Sequence, residues 1–169
     1  MNNSLSDSTP IVGKLSIISM KGCEEITAKI NDYLKRFRDY ENAETYVAHV
    51  TCPRFGTGEA KCVIDETVRG HDVYIICDCF NYGVTYKMYG VENRMSPDDH
   101  FQDLKRVIAA MGGKARRVTV VMPMLYEGRQ HRRAGRESLD AALMLQELVN
   151  MGVSNIITFD AHDPRISNA

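Results

Sequence analysis

The sequence predicts an α/β domain built as three layers, a mostly parallel, twisted sheet flanked by helices. Two observations carry this. Short apolar runs alternate along the chain with amphipathic stretches of helical period, the pattern of strand–helix–strand units. Residues 73–77 (Val-Tyr-Ile-Ile-Cys) are apolar and rich in β-branched side chains, as a strand covered on both faces must be. At 169 residues the chain is the size of a single domain and can bury a core without disulfide or metal staples.

The elements follow in order. Residues 1–12 read as a flexible polar leader and 13–169 as the domain. Residues 15–19 form a short apolar run suited to a buried strand. A helix over 23–38 carries Ile26, Ile30, Leu34 and Phe37 at helical spacing. Residues 45–50 predict a second strand, 53–58 a turn-rich loop, and 60–65 a half-exposed strand by their alternation. Residues 73–77 predict a central strand, and 80–96 read as irregular. Ser96-Pro97-Asp98-Asp99 opens the next helix, with Ser96 as the cap, Pro97 at the first helical position and Asp99 at the third. That helix runs to about residue 111 and stops at Gly112-Gly113. Residues 117–122 predict a strand ended by Pro123. A helix over 138–151, with Leu139, Leu143, Gln146 and Val149 among its positions, stops at Gly152. Residues 155–159 predict the last strand. In open parallel sheets ligands gather beyond the carboxyl ends of the strands. The loops after Met122 and Phe159 are therefore where a site is expected.

Composition narrows the function. Lys+Arg number 21 and Asp+Glu 22, a net charge of −1, which argues against a nucleic-acid partner. The sequence holds no apolar run of about 18 residues, so no membrane-spanning helix is expected, and the polar start is unlike a secretory signal. Five cysteines, an odd number at scattered spacing, are no disulfide framework. They predict reduced thiols in a cytoplasmic protein, with Cys77 and Cys79 on one side of a strand. His49 and His100 read as structural. No Gly-x-x-x-x-Gly-Lys-Ser/Thr loop is present, since Gly112-Gly113-Lys114 lacks the spacing, and neither is a Gly-x-Ser-x-Gly elbow.

Three segments can carry chemistry. Residues 126–136 place Arg129, Arg132, Arg133 and Arg136 in one strand-to-helix loop. Planar guanidinium groups suit phosphate oxygens and stack on flat bases. Asp160-Ala161-His162-Asp163 closes the last strand with oxygen and imidazole donors. Magnesium usually takes one or two carboxylates together with substrate phosphates, so Asp160 is a candidate ligand and His162 acts there directly or through water. Arg54-Phe55-Gly56-Thr57-Gly58-Glu59 offers a tight turn and a flat ring for a base. The bland readings of these segments are a solvated basic loop, a capped turn with a core histidine, and a hairpin turn.

Taken together and in order, the segments resemble the ribose-phosphate pyrophosphokinase (PRPP synthetase) family. Arg54-Phe55-x-x-Gly58-Glu59 is similar to that family's Arg-Phe-x-x-Gly-Glu turn. Residues 66–76 resemble its Glu-Ser-Val-Arg-Gly-x-Asp-Val-Tyr-Ile-Ile segment, residues 117–133 its strand and Tyr-Ala-Arg-Gln-Asp-Arg loop, and residues 156–162 its Asp-Leu-His strand end. The resemblance runs from about residue 14 onward and implies a phosphoribosyltransferase-like sheet. It implies transfer of the β,γ-diphosphoryl group of MgATP to the 1-hydroxyl of ribose 5-phosphate, giving PRPP and AMP. By that pattern Arg129 and Gln130 would hold ATP, and Arg132, Arg133 and Arg136 lie in the loop that closes over it. Phe55, Thr57, Gly58 and Glu59 would meet the adenine of a nucleotide bound by a neighbouring subunit, so a homo-oligomer is implied. Mg²⁺ would bind at His162, with Asp160 as a second position. The catalytic groups are expected in a C-terminal half that this sequence does not contain, and the chain is expected to be inactive alone. Departures fall in the closing loop: His131 stands where the family has Asp, and Gly135 and Ser138 replace its more usual residues. They motivate a second reading, a non-catalytic regulatory homologue. A third reading is a metal-dependent phosphohydrolase using Asp160, His162 and Asp163.

Overall fold

A computed structural model describes residues 12–37, 45–163 and 166. Most of the leader expected over 1–12, and the end of the first helix at Arg38, lie outside the described residues. The elements are β1 (Leu15–Ser19), α1 (Glu24–Phe37), β2 (Val47–Ala48), β3 (Val50–Thr51), β4 (Val63–Ile64), β5 (Asp72–Ile76), β6 (Thr85–Met88), β7 (Val91–Arg94), α2 (Pro97–Ala110), β8 (Arg117–Met124), α3 (Asp140–Asn150) and β9 (Asn155–Asp160). Five strands form one sheet in the order β2-β1-β5-β8-β9, and every pair in it is parallel. The expected architecture is therefore the observed one.

The order runs outward from β1 in both directions. Right-handed crossovers then place α1 on one face and α2 and α3 on the other. Side chains alternate between the two accordingly. Ile17 and Ile76 pack with Cys23, Ile30 and Leu34 of the α1 layer. Ile18, Val73, Ile75, Val118, Val120 and Met122 pack with Leu104 and Val107 of α2 and with Met144 and Leu148 of α3.

Helix α2 starts as its sequence dictates. Ser96 Oγ accepts from Asp99 N, and the Asp99 carboxylate accepts from Ser96 N, a closed capping box with Pro97 at the start. Helix α3 begins later than expected. Its first residue is Asp140, its cap is Leu139 with no side-chain hydrogen bond, and Ser138 Oγ instead donates to Asp140 Oδ2 at 2.7 Å.

Four other expectations need correction. The run over 45–50 splits: β2 joins the main sheet, while β3 turns away to pair antiparallel with β4. The strand expected over 60–65 is reduced to Val63–Ile64. Residues 80–96 are not irregular, because β6 and β7 form a hairpin joined by Tyr89-Gly90. Both turn residues have positive φ, 51° and 79°, as a two-residue turn matching strand twist requires. Asn-Gly usually supplies that geometry, and Tyr-Gly disguises it. Strand β8 also continues through Pro123 to Met124. β5 ends opposite Val121, so Pro123 borders only β9, where its missing N–H leaves no neighbour unsatisfied.

Burial on the helices does not follow their apolar positions throughout. On α1, Thr27 and Asn31 are buried whereas Ile26 and Phe37 are exposed. Asn31 earns its place by accepting Tyr46 N at 2.9 Å, which pins α1 to the start of β2. On α3, Ala141, Met144 and Leu148 face the core while Leu143 and Val149 are exposed. Ile157 and Phe159 of edge strand β9 are exposed as well.

His71, beside Lys14 at the amino edge of the sheet, shares a 2.7 Å hydrogen bond with Ser16 Oγ. Burial and the Lys14 ammonium push the imidazole below its ordinary value of 6.5. The unfolded chain then binds this proton more tightly than the folded one, so stability falls as pH drops. Urea unfolding at a series of pH values should show the full contribution above pH 6.5 and its progressive loss below that. His71→Gln should flatten that part of the profile.

Candidate functional site

Three loops leave the carboxyl edge of the sheet near its centre and far side. The one after β5 folds inward. Asn81 Nδ2 donates to Gly22 O at 3.0 Å and Asp78 N to Cys23 Sγ at 3.2 Å, so the loops after β1 and β5 are hydrogen-bonded to each other where the strand order reverses. The loops after β8 and β9 stay open, and the structure brings them together. Leu125 N donates to Asp160 O at 3.0 Å. His131 Nε2 lies 3.3 Å from Asp163 Oδ2, and the His131 and His162 rings are 6.0 Å apart. The pairing of His131 with Asp163 was not foreseen from the sequence. A signal was present, since His131 is one of the departures and Asp163 is a carboxylate of the partner loop.

The arginine loop is braced from within. Tyr126 stacks on Phe101 at 4.6 Å, and its hydroxyl donates to Asp98 Oδ1 at 2.6 Å. Burial and this carboxylate push the phenol well above its usual value, so it stays a neutral donor. Glu127 adopts a positive φ of 57° and turns the chain. Gln130 Nε2 donates to Ser138 O at 2.8 Å and Arg132 O at 3.2 Å, and Gln130 O accepts Ala141 N at 3.1 Å. The Gln130 amide thus ties the two ends of the loop together. Arg129, Arg132, Arg133 and Arg136 are all exposed, and among the described residues none of them sits in an ion pair. Asp160 and His162 are exposed as well.

The 54–59 turn is a separate construction. Gly58 N donates to Phe55 O at 2.9 Å and Phe55 N to Glu59 O at 2.7 Å, with Gly58 at a φ of +92°. Thr57 Oγ1 donates to Glu59 Oε2 at 3.1 Å, and the Phe55 ring is 52% exposed. Arg54 anchors the turn: its guanidinium meets Asp103 Oδ2 at 2.9 Å, lies over the Tyr86 ring at 4.7 Å and reaches Gly58 O at 3.3 Å. Arg106 holds the other Asp103 oxygen at 2.6 Å. The β6–β7 hairpin supports the same turn through Tyr89 N, which donates to Gly56 O at 2.8 Å. Among the described residues, no hydrogen bond, ion pair or ring contact joins Phe55, Thr57, Gly58 or Glu59 to the arginine loop, or to Asp160 and His162.

No group of three or more His, Cys, Asp or Glu side chains is gathered as a metal centre among the described residues. Asp160 and His162 offer two exposed donors, and the nearby Asp163 carboxylate faces His131. Such a set fits a magnesium ion that arrives with phosphate oxygens of its own, and it does not fit a resident metal held by protein alone. Asp163, which the phosphohydrolase reading takes as a third ligand with Asp160 and His162, lies 3.3 Å from His131 Nε2. The structural expectation for His100 is borne out, whereas Cys77 and Cys79 lie just past the end of β5 at Ile76 rather than on one side of a strand. His100 is buried, with Nε2 2.9 Å from Asn81 O, and the two thiols lie side by side with sulfurs 3.7 Å apart. No helix among the described residues is long and apolar enough to cross a membrane.

A sequence profile for the N-terminal domain of ribose phosphate pyrophosphokinase matches residues 15–152. The chain belongs to this family. Curated relatives include a ribose-phosphate pyrophosphokinase of Maricaulis maris, 30% identical over 80% of this chain and 39% of the relative. Another, from Thermosipho africanus, is 30% identical over 90% of this chain and 42% of its own length. The chain thus spans well under half of these relatives. Among solved structures, phosphoribosylpyrophosphate synthetase from Mycobacterium smegmatis superposes with a TM-score of 0.69 at 22% identity, covering 92% of this chain and 45% of that one. That likeness establishes the shared fold.

Two substitutions test the scaffold of these segments. Arg54 and Asp103 side chains are only 9% and 6% exposed, so Asp103→Ala strands a buried guanidinium. A loss of about 3–5 kcal/mol is expected, read from the urea midpoint. Gln130→Ala should leave the global midpoint nearly unchanged but accelerate backbone amide exchange over 131–139, because the brace to Ser138 is gone.

Proposed function

We propose that this chain is the nucleotide-holding part of a ribose-phosphate diphosphokinase, the enzyme that moves the β,γ-diphosphoryl group of ATP onto the 1-hydroxyl of ribose 5-phosphate. One observation carries the reading: a loop presenting four exposed arginines and a strand end presenting Asp160 and His162 converge at one edge of the sheet, linked by His131 and Asp163. Transfer of a phosphoryl group asks for charge neutralisation and positioning more than for covalent chemistry from the protein. Arg129 and Gln130 would hold the nucleotide, and Arg132, Arg133 and Arg136 would meet its phosphates as the loop closes. Magnesium, carried in with ATP, would be held by Asp160 and His162 and would neutralise phosphate charge. The Phe55 ring with Thr57, Gly58 and Glu59 would receive adenine from a nucleotide on a neighbouring subunit. A homo-oligomer is therefore part of the proposal. The ribose 5-phosphate site and the groups that act on the hydroxyl would belong to a second domain.

His131 favours a second reading. The residue after Arg-Gln is engaged with Asp163 across the two loops, in place of the family's Asp. In a regulatory subunit the loop would hold nucleotide without turning it over. A full-length protein that binds MgATP yet forms no PRPP from ribose 5-phosphate would decide for that reading.

The placement of nucleotide is tested by calorimetric titration with Mg²⁺ and a non-hydrolysable ATP analogue. Loss of one charge-assisted contact in Arg129→Ala should weaken binding about 10- to 100-fold. Binding that is unchanged by Arg129→Ala overturns the assignment to this loop.

A further inference from the structure

One pair of reactive side chains lies outside the carboxyl-edge site. β3 and β4 pair Val50 with Ile64 and Thr51 with Val63, and the bridge between Arg54 and Ala60 keeps the same register. Cys52 and Cys62 therefore stand directly opposite each other. The ladder bonds fall on the flanking pairs: Asp65 N to His49 O at 3.2 Å, Lys61 N to Pro53 O at 3.3 Å, and Phe55 N to Glu59 O at 2.7 Å. Cys52 and Cys62 thus form a non-hydrogen-bonded pair, the closer of the two cross-strand geometries. In such pairs the Cα atoms are about 4.5 Å apart, within the range that a disulfide spans.

Their surroundings suit thiol chemistry. The neighbouring Cys62 thiol, with help from the Arg54 and Arg106 guanidinium groups, lowers the Cys52 pKa against burial and the Asp103 carboxylate, while Cys52 and burial push Cys62 up. A thiol so placed ionises more readily and attacks more readily. Both residues are half-buried, and Cys52 lines a cavity of about 560 Å³ beside α1 and β2, which gives a small molecule access. The other thiols differ. Cys77 and Cys79 are fully covered, and burial pushes Cys23 up to about 11.

We infer that Cys52 and Cys62 are a reversible dithiol site for low-molecular-weight disulfides, and that its oxidation fastens the base of the 54–59 turn. The Cys52 thiolate attacks one sulfur of the external disulfide. That S–S bond breaks, one half leaves as a thiolate that takes up a proton, and a mixed disulfide remains on Cys52. Cys62 then gives up its proton and attacks the Cys52 sulfur, releasing the second half as a thiol. Two protein thiols are oxidised and one external disulfide is reduced to two thiols. The inference stands independently of the nucleotide reading, since its readouts are covalent and local.

The test uses the native chain in mixtures of oxidised and reduced glutathione, followed by alkylation with N-ethylmaleimide and peptide mass mapping. The expected product is an internal link between the Cys52 and Cys62 peptides, about 2 Da lighter than the reduced form and reversed by dithiothreitol. Amide exchange over 53–61 should slow in the oxidised chain, and Cys62→Ser should instead retain glutathione on Cys52. The inference is overturned if both cysteines remain fully alkylated under oxidising mixtures. It is equally overturned if native chain accumulates single glutathione adducts at Cys52, or if the link formed joins Cys77 to Cys79 or two separate chains.

Discussion

Because β2, β1, β5, β8 and β9 run in one direction, each hydrogen-bonded neighbour is reached only by a crossover that returns the chain to the amino edge. That constraint positions nearly everything else. It sends α1 to one face and α2 and α3 to the other. It also delivers the loops after β5, β8 and β9 to a common carboxyl edge. The crevice at the reversal of strand order is the usual ligand position in such sheets, and here Asn81 hydrogen-bonds Gly22 across it. The arginine loop and the Asp160–His162 strand end are joined further along the same edge, at β8 and β9.

Helix α2 serves as the strut between the two candidate binding segments. Asp98 and Phe101 in its first turns receive Tyr126 from the arginine loop. Asp103 further along receives Arg54 from the 54–59 turn. The Asp103 carboxyl is pushed up by its burial, against the pull of the two arginines. Desolvation and attraction therefore nearly oppose each other, as expected for an ion pair taken out of water. What the cluster supplies is a fixed orientation: a guanidinium held by a carboxylate, an aromatic ring and a backbone carbonyl cannot easily swing, so the Phe55 turn is presented rigidly.

The arginine loop shows the opposite design. Its ends are fixed by Tyr126 and Gln130, while its charged middle stays in solvent. The proposed contact with polyanionic phosphates is favoured by such an arrangement, because guanidinium groups already engaged by protein carboxylates would have to be released first. His131 is the exception, turned back against Asp163. Its engagement links the arginine loop to the strand end that carries His162.

The sequence alone determined the layer architecture, the start of α2 and the edge of the sheet to which the loops after β8 and β9 run. Those features rest on local rules: apolar runs of strand length, a Ser-Pro-Asp-Asp cap, and motifs that follow strands directly. It did not determine the β6–β7 hairpin, whose Tyr-Gly turn departs from the usual residues, or the passage of β8 through Pro123, which depends on where the neighbouring strand ends. Nor did periodicity show which apolar residues of α1 and α3 are covered, since Ile26, Leu143 and Val149 match the helical pattern and yet face outward. Periodicity records which residues share a face of a helix, whereas burial depends on what packs against that face. The pairing of His131 with Asp163 and of Cys52 with Cys62 likewise belongs to the tertiary structure, because each joins residues whose nearness is set by loop convergence or strand register rather than by spacing along the chain.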